Sequence, residues 1–187
     1  MKRLRHLLTL LAIMLCQHAL ADDAALWTGL RNGTLVALIR HAEAPGTGDP
    51  AGFKLGDCTT QRNLSEQGRR QAQDAGVMLR DKGIAAATVY SSQWCRCLDT
   101  AAGLGLGPVI QQPALNSFFD DAQRDKAQTN ALRRLIRERP PGKPLIMVTH
   151  QVNITALSGV YPRSGEIIVV RPDGEKLSVI GRVSTLK

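Results

Sequence analysis

Two histidines and an arginine follow apolar runs of the sequence, in positions that could bring them into one site. Arg40 and His41 directly follow the apolar run 35–39, and His150 follows a second apolar run that begins at Leu145. Short unbroken apolar runs bounded by turn residues are typical of fully buried strands. Because ligands of open α/β sheets bind at the carboxyl ends of the strands, these side chains are predicted to meet there. Cationic side chains in such a position are suited to binding an anion.

The alternative for each stretch alone is a solvated or salt-bridged pair at a strand end, since one short motif is only a hypothesis. The second histidine favours a site, because the chain has only four histidines and two of them end apolar runs in distant parts of the sequence. Arg96 is a further candidate site residue, in the predicted first turn of a helix. Helix N-termini attract anions, and a guanidinium there could bind a phosphoryl group through two hydrogen bonds. The alternative for Arg96 is an ordinary surface arginine.

The pattern of elements predicts an α/β fold. Periodicity and turn residues predict strands at 35–39, 87–90, 108–110 and 145–148; helices from the Ser65 N-cap to Gly83 and at 93–104, 121–139 and 153–157; and a hairpin of 166–170 and 177–183 around Pro172-Asp173-Gly174. A short helix or arm is expected over 22–32, and a long functional loop over 44–63. This alternation is typical of a three-layer α/β/α sandwich with a mostly parallel sheet. No linker or repeat interrupts it, so residues 22–187 are predicted to be a single catalytic domain.

The first 21 residues have the features of a secretory signal peptide. Lys2, Arg3 and Arg5 precede the apolar segment 7–16, and Ala19-Leu20-Ala21 fits a cleavage site. The apolar segment is short for a membrane span, so no stable span is expected after cleavage. A lipid anchor at Cys16 is the alternative, although Leu15 before it is larger than such sites favour. The expected location is therefore the periplasm or the exterior.

The composition of the chain limits the classes of ligand that it is suited to bind. The net charge is +8, and the leader contributes only three of these charges, so the remaining chain still favours anionic ligands. No basic run resembles a nucleic-acid arm, and aromatic residues are only 4% of the chain, which argues against nucleic acid. Phosphorylated small molecules or glycolipid phosphates fit better. The sequence leaves the oligomeric state open.

Cysteine usage is compatible with an oxidising compartment. Cys58, Cys95 and Cys97 remain after cleavage, an odd number that allows one disulfide at most. Cys58 could pair with either Cys95 or Cys97, and three buried thiols are the alternative. The Cys-x-Cys spacing is too tight for a usual zinc finger, and no His-Glu-x-x-His motif is present. No metal and no cofactor are predicted.

Together these stretches resemble the histidine phosphatase superfamily, the phosphoglycerate-mutase-like enzymes. Four segments are similar to its motifs in the right order, namely 40–43 (Arg-His-Ala-Glu), 63–72, 91–100 and 148–150. The resemblance implies a phosphatase in which His41 is the nucleophile and forms a phosphohistidine. It also implies that Arg40, Arg96 and a protonated His150 surround the phosphoryl oxygens. Ala42 stands where the family usually has glycine, a small change that we expect to be tolerated.

The general acid is the larger departure from the family pattern. The family usually carries a glutamate after the third strand, whereas this chain has Asp120 and Asp121 there. Asp121 is the first candidate, with Asp120 or Glu43 as alternatives. Helix capping is the alternative role for the aspartate pair.

The resemblance also indicates which of the candidate functions is favoured. The chain resembles small exported phosphatases that act on the heptose phosphate of the lipopolysaccharide core, which implies a sugar phosphate of the cell envelope as substrate. The small phosphohistidine protein phosphatases are also similar, but their partners are cytosolic. A phosphate-binding module that has lost turnover is the alternative from another class, and a structural envelope protein is disfavoured by the matched histidines and arginines.

Overall fold

A computed structural model of the protein describes residues 23–185. The predicted signal peptide over 1–21 lies outside the described residues. The predicted domain limits, 22–187, therefore stay a prediction. Among the described residues, none of the helices has both the length and the apolar character that a membrane span requires.

One six-stranded sheet organises the described chain. Its strands are β1 (Val36–Arg40), β2 (Thr88–Ser91), β3 (Val109–Gln111), β4 (Leu145–Thr149), β5 (Ile167–Asp173) and β6 (Lys176–Val183), in the order β3-β2-β4-β1-β5-β6. The first four strands run parallel, and β5 and β6 add an antiparallel hairpin at one edge. The mostly parallel sheet and the terminal hairpin are thus confirmed.

Within the described residues, five α-helices cover the two faces of the sheet. They are α1 (residues 23–31), α2 (Glu66–Asp81), α3 (Cys95–Leu104), α4 (Asp125–Arg137) and α5 (Gln151–Ser158). One buried apolar cluster joins α1, α2 and α3 to the side chains of Ala37 and Ile39, while α4 and α5 pack with Val36 and Leu38. Because neighbouring strand residues face opposite sides, both faces of β1 are buried, as its unbroken apolar sequence requires. The three-layer α/β/α prediction is confirmed.

Two predicted boundaries are wrong in detail. The helix expected from Asp121 begins with a separate 3-10 turn, Ala122–Arg124, before α4 starts at Asp125. The hairpin turn is also displaced, because Pro172 and Asp173 still pair with β6, and the turn falls on Gly174 and the residue after it. Gly174 has a φ of 57°, the left-handed conformation that tight hairpin turns favour.

Strand register brings three chain segments to one edge of the sheet. Arg40 pairs with Thr149, and the His41 amide continues the ladder by donating to the Thr149 carbonyl at 2.9 Å. The Ser92 amide likewise donates to the Val148 carbonyl at 3.0 Å. The residues that follow β1, β2 and β4 therefore lie side by side at the carboxyl ends of the strands, where ligands of such sheets bind.

Candidate active site

His41 is buried at the end of β1, with one ring nitrogen fixed and the other left free. Its side chain is 3% exposed, and Nδ1 lies 2.8 Å from the Ala42 carbonyl oxygen. A carbonyl can only accept, so Nδ1 carries the proton and Nε2 keeps its lone pair. Burial lowers the pKa of His41 to about 3, and the charges of Arg96, Arg40 and Arg62 act in the same direction against the partly opposing Ala42 hydrogen bond. The ring is therefore neutral at ordinary pH, with Nε2 unprotonated.

The backbone after His41 is held by the two neighbouring helices. The Ala42 amide donates to Thr100 Oγ1 on α3 at 2.9 Å, and that hydroxyl donates to the Arg96 carbonyl at 2.7 Å. On α2, Gly68 approaches the Glu43 backbone so closely that any Cβ there would collide with the Glu43 carbonyl. Thr100 and Gly68, which lie in the motif segments 91–100 and 63–72, therefore hold the backbone that follows His41 in place. Ala42 is fully buried, and the structure accommodates it in place of glycine.

His150, at the end of β4, faces His41 with a distance of 5.6 Å between the ring centroids. Its Nδ1 lies 3.4 Å from an Arg96 guanidinium nitrogen, which can only donate. Its Nε2 lies 2.8 Å from Ser92 Oγ, which in turn bonds to Asn116. These partners fix a neutral ring with the proton on Nε2.

The contacts of His150 favour a neutral ring, whereas the resemblance implies a protonated ring around a bound phosphoryl group. Burial lowers the pKa of His150 well below its ordinary value, and the charges of His41, Arg96, Arg62 and Arg40 lower it further. Burial and neighbouring cations both disfavour the charged form of the ring. A bound phosphoryl group would act in the opposite direction.

Arg96 is as buried as the histidines and is held by a carboxylate that sequence reasoning missed. Its guanidinium forms an ion pair with Asp49 at 2.8 Å, with side chains 3% and 5% exposed. Asp49 also accepts from the Trp94 indole at 3.0 Å and from the Arg62 amide at 3.1 Å. Burial raises the pKa of Asp49, but the hydrogen bonds and charge of Arg96 prevail and hold it below its usual value. Asp49 is therefore an anion that orients Arg96.

Arg62 is a further cation that the sequence did not reveal. Its guanidinium donates to the carbonyls of Gly48 at 2.7 Å and Ala44 at 2.5 Å, so it ties the 44–63 loop together. It also lines the same cavity as His41. The sequence offered one indication of this role, because Arg62 comes immediately before the 63–72 motif segment. The loop has no periodicity, however, from which the position of its side chain could be predicted.

A disulfide fixes this loop beside α3. Cys58 bonds to Cys95, which resolves the two pairings left open by the sequence, and Cys97 is the free thiol. Cys97 is fully buried, with its sulfur 3.5 Å from His150 Nε2. Burial raises its pKa to about 12, so Cys97 is a neutral thiol that packs under the site.

The predicted side chains surround a cavity of about 260 Å³. Arg40, His41, Arg96 and His150 all line it, together with Arg62. The Nε atoms of both Arg40 and Arg96 are buried without a hydrogen-bond partner among residues 23–185. Buried donors of this kind usually find a partner, and an anion is the natural one. The arrangement can thus bind a phosphoryl group against a neutral imidazole.

The structure separates the three candidates for the general acid. Asp120 and Asp121 both line the cavity, at its solvent side. Glu43 does not line it, because its carboxylate accepts a hydrogen bond from Ser65 Oγ at the start of α2. The described part of the chain contains no group of three or more His, Cys, Asp or Glu side chains suited to a metal ion.

Comparisons with known proteins agree with this site. The family described as the histidine phosphatase superfamily (branch 1) matches residues 36–119, which contain three of the four motif segments. No curated protein sequence matches the chain. The fold and the paired histidines and arginines are those expected of an α/β phosphatase. Over residues 36–119, a little less than half of the chain, the sequence is similar to the histidine phosphatase superfamily.

Solved structures share the fold at low sequence identity. The protein histidine phosphatase SixA complexed with tungstate is 16% identical with a TM-score of 0.58, over 81% of this chain and 97% of that one. The phosphoserine phosphatase of Entamoeba histolytica in complex with 3-phosphoglyceric acid is 17% identical with a TM-score of 0.58, over 80% and 96%. At this identity the likeness describes the architecture and leaves the substrate open.

Proposed function

We propose that this protein hydrolyses phosphomonoesters through a phosphohistidine on His41, without a metal ion. The observation that carries the proposal is the His41 ring itself. Its Nδ1–H is committed to the Ala42 carbonyl, so Nε2 is an unprotonated nucleophile inside a cavity lined by Arg40, Arg62 and Arg96.

In the first half of the reaction, the Nε2 lone pair attacks phosphorus and the bond to the leaving oxygen breaks. Arg40, Arg96 and His150 bind the phosphoryl oxygens, where charge is spread in the transition state. The leaving oxygen takes a proton from a carboxylic acid, for which Asp121 is the first candidate and Asp120 the second.

In the second half, water attacks phosphorus, the P–N bond breaks and Nε2 recovers its lone pair. The carboxylate that gave its proton accepts one from the attacking water. The products are the free alcohol and inorganic phosphate. The hydrogen bond from Nδ1 to Ala42 stabilises the ring when phosphorylation makes it cationic.

The proposed substrate is a sugar phosphate of the cell envelope, hydrolysed in the periplasm. The predicted signal peptide supports this location, and a disulfide between Cys58 and Cys95 is a feature of oxidising compartments. The excess of basic residues favours an anionic substrate. The resemblance to phosphatases of lipopolysaccharide core heptose phosphate makes such a glycolipid the leading candidate.

A phosphate-binding module with little turnover is the second candidate. Its support is that Asp120 and Asp121 lie on an exposed stretch of the cavity wall and make no side-chain hydrogen bond to any of residues 23–185 that would fix them. A poorly held acid would leave binding intact and turnover slow.

The test is hydrolysis of p-nitrophenyl phosphate by the mature protein in EDTA, beside His41→Ala and the surface control Val77→Ala. This substrate has a good leaving group, so the assay isolates the nucleophile from the acid. We expect EDTA-resistant turnover that is lost in His41→Ala and kept in Val77→Ala, with a ³²P-labelled phosphohistidine trapped from labelled substrate by an alkaline quench. Phosphate binding without turnover would favour the binding module. Equal turnover in the wild type and His41→Ala would refute the mechanism.

A further inference from the structure

Aromatic residues are concentrated around the cavity. The chain has only three phenylalanines, two tyrosines and two tryptophans, and four of these rings line this one cavity. They are Phe53, Trp94, Phe119 and Tyr161. Phosphoryl recognition uses charge and needs none of them, so the concentration concerns the rest of the substrate.

The four rings fall into two pairs. Trp94 is buried and packs against Phe53, with 5.5 Å between the ring centroids, so these two belong to the cavity wall. Phe119 is 58% exposed and Tyr161 is 68% exposed at the mouth. The other exposed large hydrophobic side chains of the described residues are aliphatic, so the exposed rings occur at this mouth alone within that part of the chain. The fold gains little from their position, which points to a ligand.

Hydrogen-bonding groups line the same cavity as these rings. Ser117, Asp120 and Gln151 line the cavity with Phe119 and Tyr161. Carboxylate and amide oxygens accept from hydroxyl groups, whereas aromatic faces pack on C–H groups. A sugar ring offers both, since it has apolar C–H faces and an edge of hydroxyls.

We infer that Phe119 and Tyr161 form a subsite for the ring of a sugar whose phosphate is held by Arg40 and Arg96. The inference rests on the proposed function and adds the residues that select the leaving group. The part of the wall formed by Phe53 and Trp94 is held in place, because the loop that carries Phe53 is joined to α3 through the Cys58–Cys95 disulfide. A preformed cavity of this kind suits a small ring-bearing ester better than the surface of a phosphoprotein.

The experiment separates ring recognition from turnover by using the inactive His41→Ala protein. Calorimetry would measure its affinity for the 6-phosphates of glucose, mannose and galactose, for glycerol 3-phosphate and for inorganic phosphate. The sugar and glycerol esters have the same kind of primary phosphate and differ by the ring. We expect the best hexose phosphate to bind about tenfold more tightly than glycerol 3-phosphate, the contribution expected of aromatic packing.

Variants of the rim then assign the effect. Phe119→Ala with Tyr161→Ala should remove the preference and leave the affinity for inorganic phosphate unchanged. Phe119→Tyr and Tyr161→Phe, which keep the rings, should retain it, as should Val77→Ala. A hexose phosphate affinity no greater than that for glycerol 3-phosphate, undetectable binding included, would overturn the inference. A preference for the hexose phosphate that survives the loss of both rings would also overturn it. Tighter binding of a phosphohistidine-bearing protein than of any hexose phosphate would overturn it as well. Failure of the proposed function would instead appear as absent p-nitrophenyl phosphate turnover by the wild type.

Discussion

Asp49 controls the position of the Arg96 guanidinium and is the residue through which the loop acts on the site. It accepts from Arg96, from Trp94 and from the Arg62 amide, so one carboxylate connects three residues that line the cavity. Charged hydrogen bonds are about twice as strong as neutral ones, so removing only the charge should loosen Arg96 without removing its acceptor.

Asp49→Asn is therefore expected to lower kcat on p-nitrophenyl phosphate by about tenfold, equivalent to about 1.4 kcal/mol of transition-state stabilisation. The matched control is Asp57→Asn, in the same loop, where an exposed aspartate caps a 3-10 turn away from the cavity. Steady-state kinetics should show the loss in kcat with little change in KM, and circular dichroism should show that both variants are folded. An unchanged kcat in Asp49→Asn would mean that Arg96 is positioned by its other contacts.

The acid is a second question at the residue scale. Asp121→Asn should lower kcat on an alkyl phosphate by about a hundredfold and leave p-nitrophenyl phosphate nearly unaffected, because only the poor leaving group needs a proton. Asp120→Asn is the matched control one residue away. The same loss in Asp120→Asn alone would move the assignment to Asp120. Full activity of both variants on both substrates would contradict an aspartate acid.

Single residues were predictable where a regular element fixed them. Arg40 ends β1, His41 and His150 follow β1 and β4, and Arg96 lies in the first turn of α3, so periodicity was enough to bring them together. Asp49 and Arg62 lie in a loop whose path depends on long-range contacts, and no local pattern reveals those contacts.

At the scale of elements, the 44–63 loop is a wall of the site that has little regular structure of its own. A 3-10 turn at Cys58–Thr60 is its only helix, so its shape depends on the Arg62 hydrogen bonds and on the disulfide to Cys95. Sequence reasoning located the loop beside Arg40 and His41 but left the cysteine pairing open. Pairing depends on the distance between chain segments, which spacing in the sequence does not give.

Loss of the disulfide should therefore affect both stability and catalysis. The bond closes a segment of 37 residues, and chain entropy predicts that Cys58→Ser with Cys95→Ser lowers the free energy of unfolding by about 3 to 4 kcal/mol. Catalysis should fall by about tenfold to a hundredfold, because small displacements of positioned groups are costly. Urea unfolding and p-nitrophenyl phosphate hydrolysis, each with and without dithiothreitol, measure the two effects. The double variant is its own control, since reductant should not change it further. If the wild-type rate of hydrolysis is unchanged by dithiothreitol although the thiols are shown to be reduced, this role of the bond is contradicted.

At the scale of the whole molecule, periodicity predicted the layers because both faces of the sheet are covered. Strands buried on two sides must be apolar throughout, as β1 and β4 are, and helices that cover a sheet must show one apolar face. The course of α4 was less predictable. The charged segment from Asp120 to Asp125 is compatible with either a helix or a turn, and the structure has a 3-10 turn at Ala122–Arg124.

The two site histidines also determine how stability depends on pH. Both have a pKa lowered by burial, His41 to about 3, so each is neutral when folded and gains a proton on unfolding below the ordinary value near 6.5. Because the unfolded chain then binds more protons, stability is full above that value and falls as the pH decreases toward the folded pKa. His6 and His18, the other histidines of the sequence, belong to the predicted leader. The carboxylates with shifted values, Asp49 and Glu166, have a lowered pKa and stay ionised above about pH 5.

Between about pH 7 and about pH 5, each buried histidine should therefore cost about 2 kcal/mol of stability. Urea unfolding of the protein without its predicted leader at the two pH values measures the loss, and His41→Asn and His150→Asn should each remove about half of it. Inorganic phosphate should reduce the loss as well, because a bound anion offsets the arginine charges and favours protonation of His150. A pH dependence that is the same in the wild type and in both variants would mean that these rings are not neutral in the folded protein. It would remove the physical basis for His41 as the nucleophile.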